Sequence, residues 1–138
     1  MNALSKYAPH ALAVLRIVTA LLFIEHGTAK LFGFPAMQMA GDAPAGGLPP
    51  LMLIGGILEV FGGLAILVGF LTRPVAFILA GEMAVAYWMM HVPSGGFFPL
   101  TNGGDSAVLF CFVFLYLVFA GPRLVSHPPC QVRSPVRA

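Results

Sequence analysis

From Pro49 to Pro74 the chain reads PPLMLIGGILEVFGGLAILVGFLTRP. Between the two prolines that open it and Arg73, a single charged residue, Glu59, interrupts the apolar run. About 20 apolar residues carry a helix across the ~30 Å hydrocarbon core of a bilayer. This stretch therefore predicts a transmembrane helix from about Pro49 to Leu71. Leu71-Thr72-Arg73-Pro74 is then a very short link, with Thr72 expected to cap the next helix and Pro74 tolerated in its first turn. So short a link makes the two helices an antiparallel hairpin.

Working outward, three more stretches qualify as spans: about Ala11 to Gly33, Arg73 to Val92, and Asp105 to Gly121. Helices satisfy their own backbone hydrogen bonds, so four helices are favoured over a small barrel. Phe34 to Leu48 and Pro93 to Gly104, rich in Gly and Pro, are expected loops. Asp105 or Ser106 is expected to cap the fourth helix, and Gly121-Pro122 to end it. The apolar run after Lys6 continues to Phe34 with no convincing cleavage site and is expected to be a retained span. The fold class is thus all-α, an integral membrane four-helix bundle. Residues 1–122 form it, and residues 123–138 form a basic, proline-rich tail expected to be disordered.

Composition agrees. Of 138 residues, 59% are hydrophobic and 9% charged. A soluble domain carries roughly 25% charged residues. This chain has too few polar side chains to cover a soluble globule, and its net charge of +2 gives no reason to expect a nucleic-acid partner. Its two cysteines, Cys111 and Cys130, form no C-x-x-C motif, so no disulfide framework or redox pair is expected. Lys6, Arg16, Arg73, Arg123, Arg133 and Arg137 fall on one side of the four spans, and Lys30 toward the other. The positive-inside rule then places both termini in the cytoplasm.

The few charges inside the spans are the informative ones. An acid at the centre of a spanning helix costs about 2.5–3.5 kcal/mol on the insertion scale, so such residues point inward, pair, and are functional candidates. The candidates are Glu25, His26, Lys30, Glu59, Glu82, His91, Asn102 and Asp105. On the second helix Gly55, Glu59, Gly62 and Gly63 share one face, where small residues let another backbone approach. On the third, Glu82 shares a face with Ala86 and Met89. On the first, Arg16, Ala20, Phe23, Gly27 and Lys30 form an inward stripe flanked by His26. Glu25 lies about 160–180° from Arg16 and Gly27 at 100° per residue. It is expected to face another neighbour or a partner subunit.

A plainer reading accompanies each candidate. Arg16 and Arg73 are expected to serve orientation or structural ion pairing, Arg16 with a carboxylate of the second or third helix, and both can snorkel to the cytoplasmic face. Glu59 and Glu82 can serve helix registration alone. Tyr87, Trp88 and His91 suit an interfacial aromatic belt, and Phe110, Phe112, Phe114, Tyr116 and Phe119 suit lipid contact and packing. On the functional side, a carboxyl and a histidine in a low-dielectric interior suit proton transfer. They also suit hydrogen bonds to a quinone held between apolar walls. His26, His91 and a carboxylate match no metal-ligand spacing, so no metal is expected.

The ordered set Leu15-Arg16, His26-Gly27, Lys30 to Gly33, Gly55 to Glu59, Gly62-Gly63, Gly69, Leu71 to Arg73, Ala86 to His91, Phe97-Phe98 and Asn102 to Asp105 resembles the DoxX family over roughly residues 11–122. The resemblance implies a four-helix inner-membrane protein associated with redox systems. Such relatives are subunits linked to thiosulfate:quinone oxidoreduction, parts of membrane oxidoreductase complexes with soluble partners, or companions of copper-binding modified peptide biosynthesis. It places Arg16, His26, Lys30, Glu59, Arg73, His91, Asn102 and Asp105 at family-pattern positions without assigning their roles. Two features depart from the pattern. Asp105 stands where Glu is expected, and the chain after Gly121 lacks the family's ending. The leading expectation is a membrane subunit of a redox system that binds a quinone or similar apolar ligand in its outer half. The alternatives are an anchor or assembly partner, alone or as a homo-oligomer, and a small oligomeric channel or transporter. Ligand binding, oligomeric state and charge flux separate the three.

Overall fold

The computed structural model describes residues 4–36 and 49–122. The expected loop centre at 37–48, the tail with Arg123, Arg133 and Arg137, and Cys130 lie outside the described residues. The described residues are helical throughout apart from short connections, with no strand. After a single 3-10 turn at Ser5–Tyr7 come α1 (Ala8–Phe32), α2 (Pro50–Val68) and α3 (Thr72–Ala86). A π-helical segment, Tyr87–His91, extends α3 into α4 (Val92–Gly95), followed by α5 (Pro99–Asn102) and α6 (Asp105–Ala120).

Length and hydropathy single out three stretches able to cross a membrane: Ser5–Phe32, Pro50–Val68 and Thr72–Gly95. The fourth expected span, α6, is apolar but has 16 residues, about 24 Å at 1.5 Å per residue. That is short of the ~30 Å core. Large apolar side chains stand exposed around the outside, Val18, Leu21, Phe61, Phe77, Phe112 and Phe119 among them. In a membrane protein such a surface faces lipid, so its exposure carries no penalty.

The helices pack as two tight pairs, α1 along α2 and α3 along α6, with α2 and α3 in sparser contact. Glycine makes the first pair tight. A Cβ on Gly63 would meet Ile24 Cγ1 at 2.7 Å, and one on Gly56 would meet Leu31 at 2.9 Å. Between the pairs, Leu79 of α3 fills the space over Gly62 of α2. Phe23 of α1 meets Phe110 and Phe114 of α6 edge-on, at 5.2 and 4.7 Å between centroids. The buried core joins Ala20, Phe23, Ile66, Leu79, Phe114 and Leu117.

The link between α2 and α3 is as short as expected, but its caps differ. Gly69 ends α2 with φ +81. Its N–H donates to Ile66 O and that of Phe70 to Ala65 O, which closes the last turn. Thr72 does not cap α3: Leu71 holds that position with φ 45, and the Thr72 hydroxyl is buried inside the first turn without a hydrogen-bond partner. At α6 the capping residue is Gly104 with no side-chain cap, and Asp105 is already helical.

Both arginines serve helix ends. Arg16 is buried, and its Nη1 donates to Ile66 O at 2.9 Å. Arg73 Nη2 reaches Phe119 O at 3.5 Å. A cation at a helix carboxyl terminus is favourable by about 0.3–1 kcal/mol, more when partly buried. The expected pairing of Arg16 with a carboxylate is therefore replaced by a helix cap. Its partner lies seven residues beyond Glu59 along α2, about 10 Å away at 1.5 Å per residue.

Candidate functional site

The inward stripe of α1 carries Phe23, His26 and Lys30 at spacings of three and four residues, one face of a helix. Gly27 sits beside them and lets α2 come close enough for Glu59 to meet Lys30. Lys30 Nζ donates to Glu59 Oε1 at 2.6 Å. Glu59 is 1% exposed. This is the salt bridge of the described residues.

Glu82 of α3 lies across from this pair. Its Oε1 is 3.4 Å from where a Cβ on Gly55 would stand, so its carboxylate rests against α2 one turn from Glu59. Both Glu82 oxygens, and Glu59 Oε2, are buried without a hydrogen-bond partner.

A cavity of about 630 Å³ opens beside these groups, walled by α1, α2, α6, α3 and the segment that follows it. Its polar lining residues are His26, Lys30, Glu59, Glu82 and His91, with Ser94 and Ser106. Its apolar lining includes Phe23, Leu58, Met83, Met90 and Phe110. The His26 ring packs edge-on against Phe110, 5.4 Å between centroids.

Each histidine is oriented by a carbonyl. His26 Nδ1 lies 2.8 Å from Leu22 O, and His91 Nδ1 lies 3.2 Å from Asn102 O. A carbonyl only accepts, so Nδ1 carries the hydrogen in both rings. In the neutral ring Nε2 is then an acceptor.

His91 reaches the cavity because of the π-helical segment. Glu82 and His91 are nine residues apart, opposite faces of an ideal α-helix at 100° per residue. An i→i+5 turn advances less per residue, and five such residues lag by roughly a quarter-turn. That rotation brings His91 back toward the face of Glu82. Composition alone does not mark such a segment, and the sequence reading missed it.

The remaining candidates do other work. Asn102 is buried, but its amide is spent on the backbone: Nδ2 donates to Gly96 O at 2.7 Å, and Oδ1 accepts from Gly104 N at 2.8 Å. It pins the connection between α4 and α6. Tyr87 belongs to that work as well. It is buried, not at an interfacial belt, and its hydroxyl donates to Phe97 O. Asp105 is exposed in the first turn of α6, outside the cavity. Glu25 is exposed on α1 away from the cavity, with no neighbouring helix of the described residues covering it. Among the described residues no group of three His, Cys, Asp or Glu stands together as a metal site. Ser106, Met83 and Met90 line the cavity without any signal in the sequence that distinguishes them from packing residues.

Fold and site together define a small helical membrane protein with a cavity lined by an ion pair, a second carboxyl and two histidines. The chain belongs to the DoxX family, whose profile matches residues 11–92. It is 47% identical over 123 residues to an uncharacterised protein of Haemophilus influenzae, covering 88% of this chain and 90% of that one. It is 40% identical over 79 residues to the inner membrane protein YqjF of Escherichia coli, covering 56% of this chain and 59% of YqjF. No solved structure matches it.

Proposed function

We propose that this protein is an inner-membrane subunit of a redox system that binds a quinone-class ligand in the cavity between its helices. One observation carries the reading: ionisable groups of α1, α2 and α3 line one 630 Å³ cavity whose remaining lining is largely apolar and aromatic. Ligand pockets of about 300–1,000 Å³ have this build, with a few convergent polar groups setting orientation. Lysine has three donors and Lys30 gives one to Glu59, so a ligand carbonyl has a donor within the same wall. The apolar wall then holds the ring.

Equilibrium dialysis of a short-chain benzoquinone against the protein in lipid nanodiscs, with empty nanodiscs subtracted, tests this. The quinone is expected to bind the protein, and His26→Ala and Glu59→Gln to weaken it about tenfold, a loss of 1.4 kcal/mol. Retention no greater than in empty nanodiscs refutes the reading. Unchanged affinity in both variants removes these residues from it.

The same reading gives the chain four spans, α6 being a short one, with both termini cytoplasmic and the cavity in the outer half. The excess of basic residues on the side of Lys6 and Arg73 supports this orientation. In intact cells an impermeant thiol reagent is expected to label Phe97→Cys, but Tyr7→Cys only after permeabilisation. The reverse pattern inverts the topology.

A further inference from the structure

Contacts between α1 and α2 fix the depth of each residue on α1. Ile24 lies against Gly63, Gly27 against Glu59 and Val60, and Leu31 against Gly56. The two helices therefore run antiparallel, and Glu25 stands level with the stretch from Glu59 to Gly63. Helix α2, Pro50–Val68, is one of the stretches able to cross a membrane, and Glu59 is its middle residue. Gly63 lies four residues further on, about 6 Å at 1.5 Å per residue. Glu25 is thus close to mid-membrane, and it is exposed.

That combination needs a partner. An ionisable side chain facing lipid at such depth is costly, and residues of this kind turn inward or pair. Glutamate has too short a stem to reach the headgroups as lysine and arginine do. Irregular chain does not lie against lipid there, because its backbone groups would go unpaired, so the cover is another helix.

The face around Glu25 has the form of a helix seam. Val14, Val18, Leu21, Glu25, Thr28 and Phe32 follow one another at alternating steps of four and three residues. That is the heptad spacing of a left-handed helix pair, in which a single polar residue sets the register. Left-handed pairing is also the common crossing of membrane helices. Thr28 is half-buried and the other five are exposed.

The same face names the occupant. Among the described residues the cations within the spans already have partners: Lys30 has Glu59, Arg16 has Ile66 O and Arg73 has Phe119 O. A second copy therefore presents Glu25 with no unpaired cation at its depth, but it does present Glu25 itself. A carboxyl in its acid form holds an O–H donor and an acceptor oxygen, so two of them face to face satisfy both. Copies inserted the same way are related by a two-fold axis along the membrane normal, which brings identical residues together. Valine and leucine then meet apolar side chains, and carboxyl meets carboxyl.

We propose that α1 pairs with α1 of a second copy along Val14, Val18, Leu21, Glu25 and Thr28, with the two Glu25 carboxyls hydrogen-bonded to each other within the seam. Glu25 does not line the cavity, so the pairing is independent of what the cavity binds.

Two measurements in liposomes test this, with Cys111 and Cys130 changed to serine. On oxidation, Val18→Cys and Leu21→Cys are expected to form disulfides between copies several times faster than Phe61→Cys, Phe77→Cys and Phe112→Cys. Those three controls stand exposed on α2, α3 and α6. Energy transfer between copies labelled at the amino terminus, titrated over the protein-to-lipid ratio, gives the association constant. Glu25→Ala is expected to weaken association about tenfold, the scale of an interhelical hydrogen bond in a membrane. Glu25→Gln keeps a donor and an acceptor and is expected to stay within about threefold of the unaltered protein. A protein that is monomeric at every ratio overturns the proposal and leaves Glu25 to a cation-bearing helix of another protein. Association unchanged in Glu25→Ala overturns it, as does Glu25→Gln being as weak as Glu25→Ala. Disulfides that form as fast from α2, α3 or α6 overturn it too. The disulfide comparison keeps Glu25 in place, so it decides even where Glu25→Ala does not fold.

Discussion

Alanine at position 27 is expected to destabilise the protein more than alanine at any other helical glycine of α1, α2 or α3. A Cβ there would stand 2.7 Å from Val60 Cγ2, 2.9 Å from Glu59 Cβ and 2.9 Å from Gly56 O. Two of those atoms are fixed by the α2 backbone, one being a carbonyl oxygen, so no side-chain rotation clears the space. Helix α1 must back away from α2. Overpacking of this kind costs about 1–3 kcal/mol. Gly56→Ala offers a contrast, because its new methyl meets the Leu31 side chain at 2.9 Å, and a leucine can turn aside. Gly81→Ala offers the opposite sign. It meets nothing within 4 Å, and alanine gains up to about 1 kcal/mol of helix propensity over glycine. Thermal unfolding in mild detergent should therefore rank the melting temperatures Gly81→Ala highest, then Gly56→Ala, then Gly27→Ala. Gly27→Ala melting with the unaltered protein would mean the two helices do not approach this closely.

The same glycines show what the sequence could and could not tell. Apolar length marked the helices, and phase marked the inward stripe of α1, with Arg16, Ala20, Phe23 and Gly27 all buried. Helix α2 was harder. Gly55, Glu59, Gly62 and Gly63 read as one face, yet the structure divides them. Gly56 and Gly63 meet α1, and Gly55 and Gly62 meet α3, with Glu59 between. A helix with neighbours on two sides has two small-residue faces, and a single stripe cannot separate them. Arg16 was misread for a related reason. Sequence gives the depth of a charged side chain and of a helix end, but not which of a carboxylate and an open carbonyl at that depth takes the charge, and Arg16 took the carbonyl of Ile66. Asn102 shows a third limit: a polar side chain in a loop looks alike whether it awaits a ligand or pins the backbone.

Removing the cation from the Lys30–Glu59 pair is expected to have the largest electrostatic effect in the molecule. Glu59 is 1% exposed, and the Lys30 side chain is 21% exposed. The two are therefore not equivalent. Lys30→Met leaves a carboxylate enclosed without its partner, and breaking a buried pair this way costs about 3–5 kcal/mol. Glu59→Gln leaves the lysine, which can turn its ammonium toward the open side of the cavity, so its cost is expected to be smaller. Replacing both, as Lys30→Met with Glu59→Leu, removes the charges together. Apolar substitution of a whole buried pair is often neutral or stabilising by about 1–4 kcal/mol. The double variant should therefore recover most of the stability lost in Lys30→Met while losing retention of the quinone-class ligand. A double-mutant cycle of unfolding free energies, read with ligand dialysis on the same preparations, separates the two roles. Lys30→Met as stable as the unaltered protein would show that the pair contributes nothing to the fold. A double variant that still binds ligand normally would show that the pair is structural and that the cavity's chemistry lies with Glu82 and the two histidines.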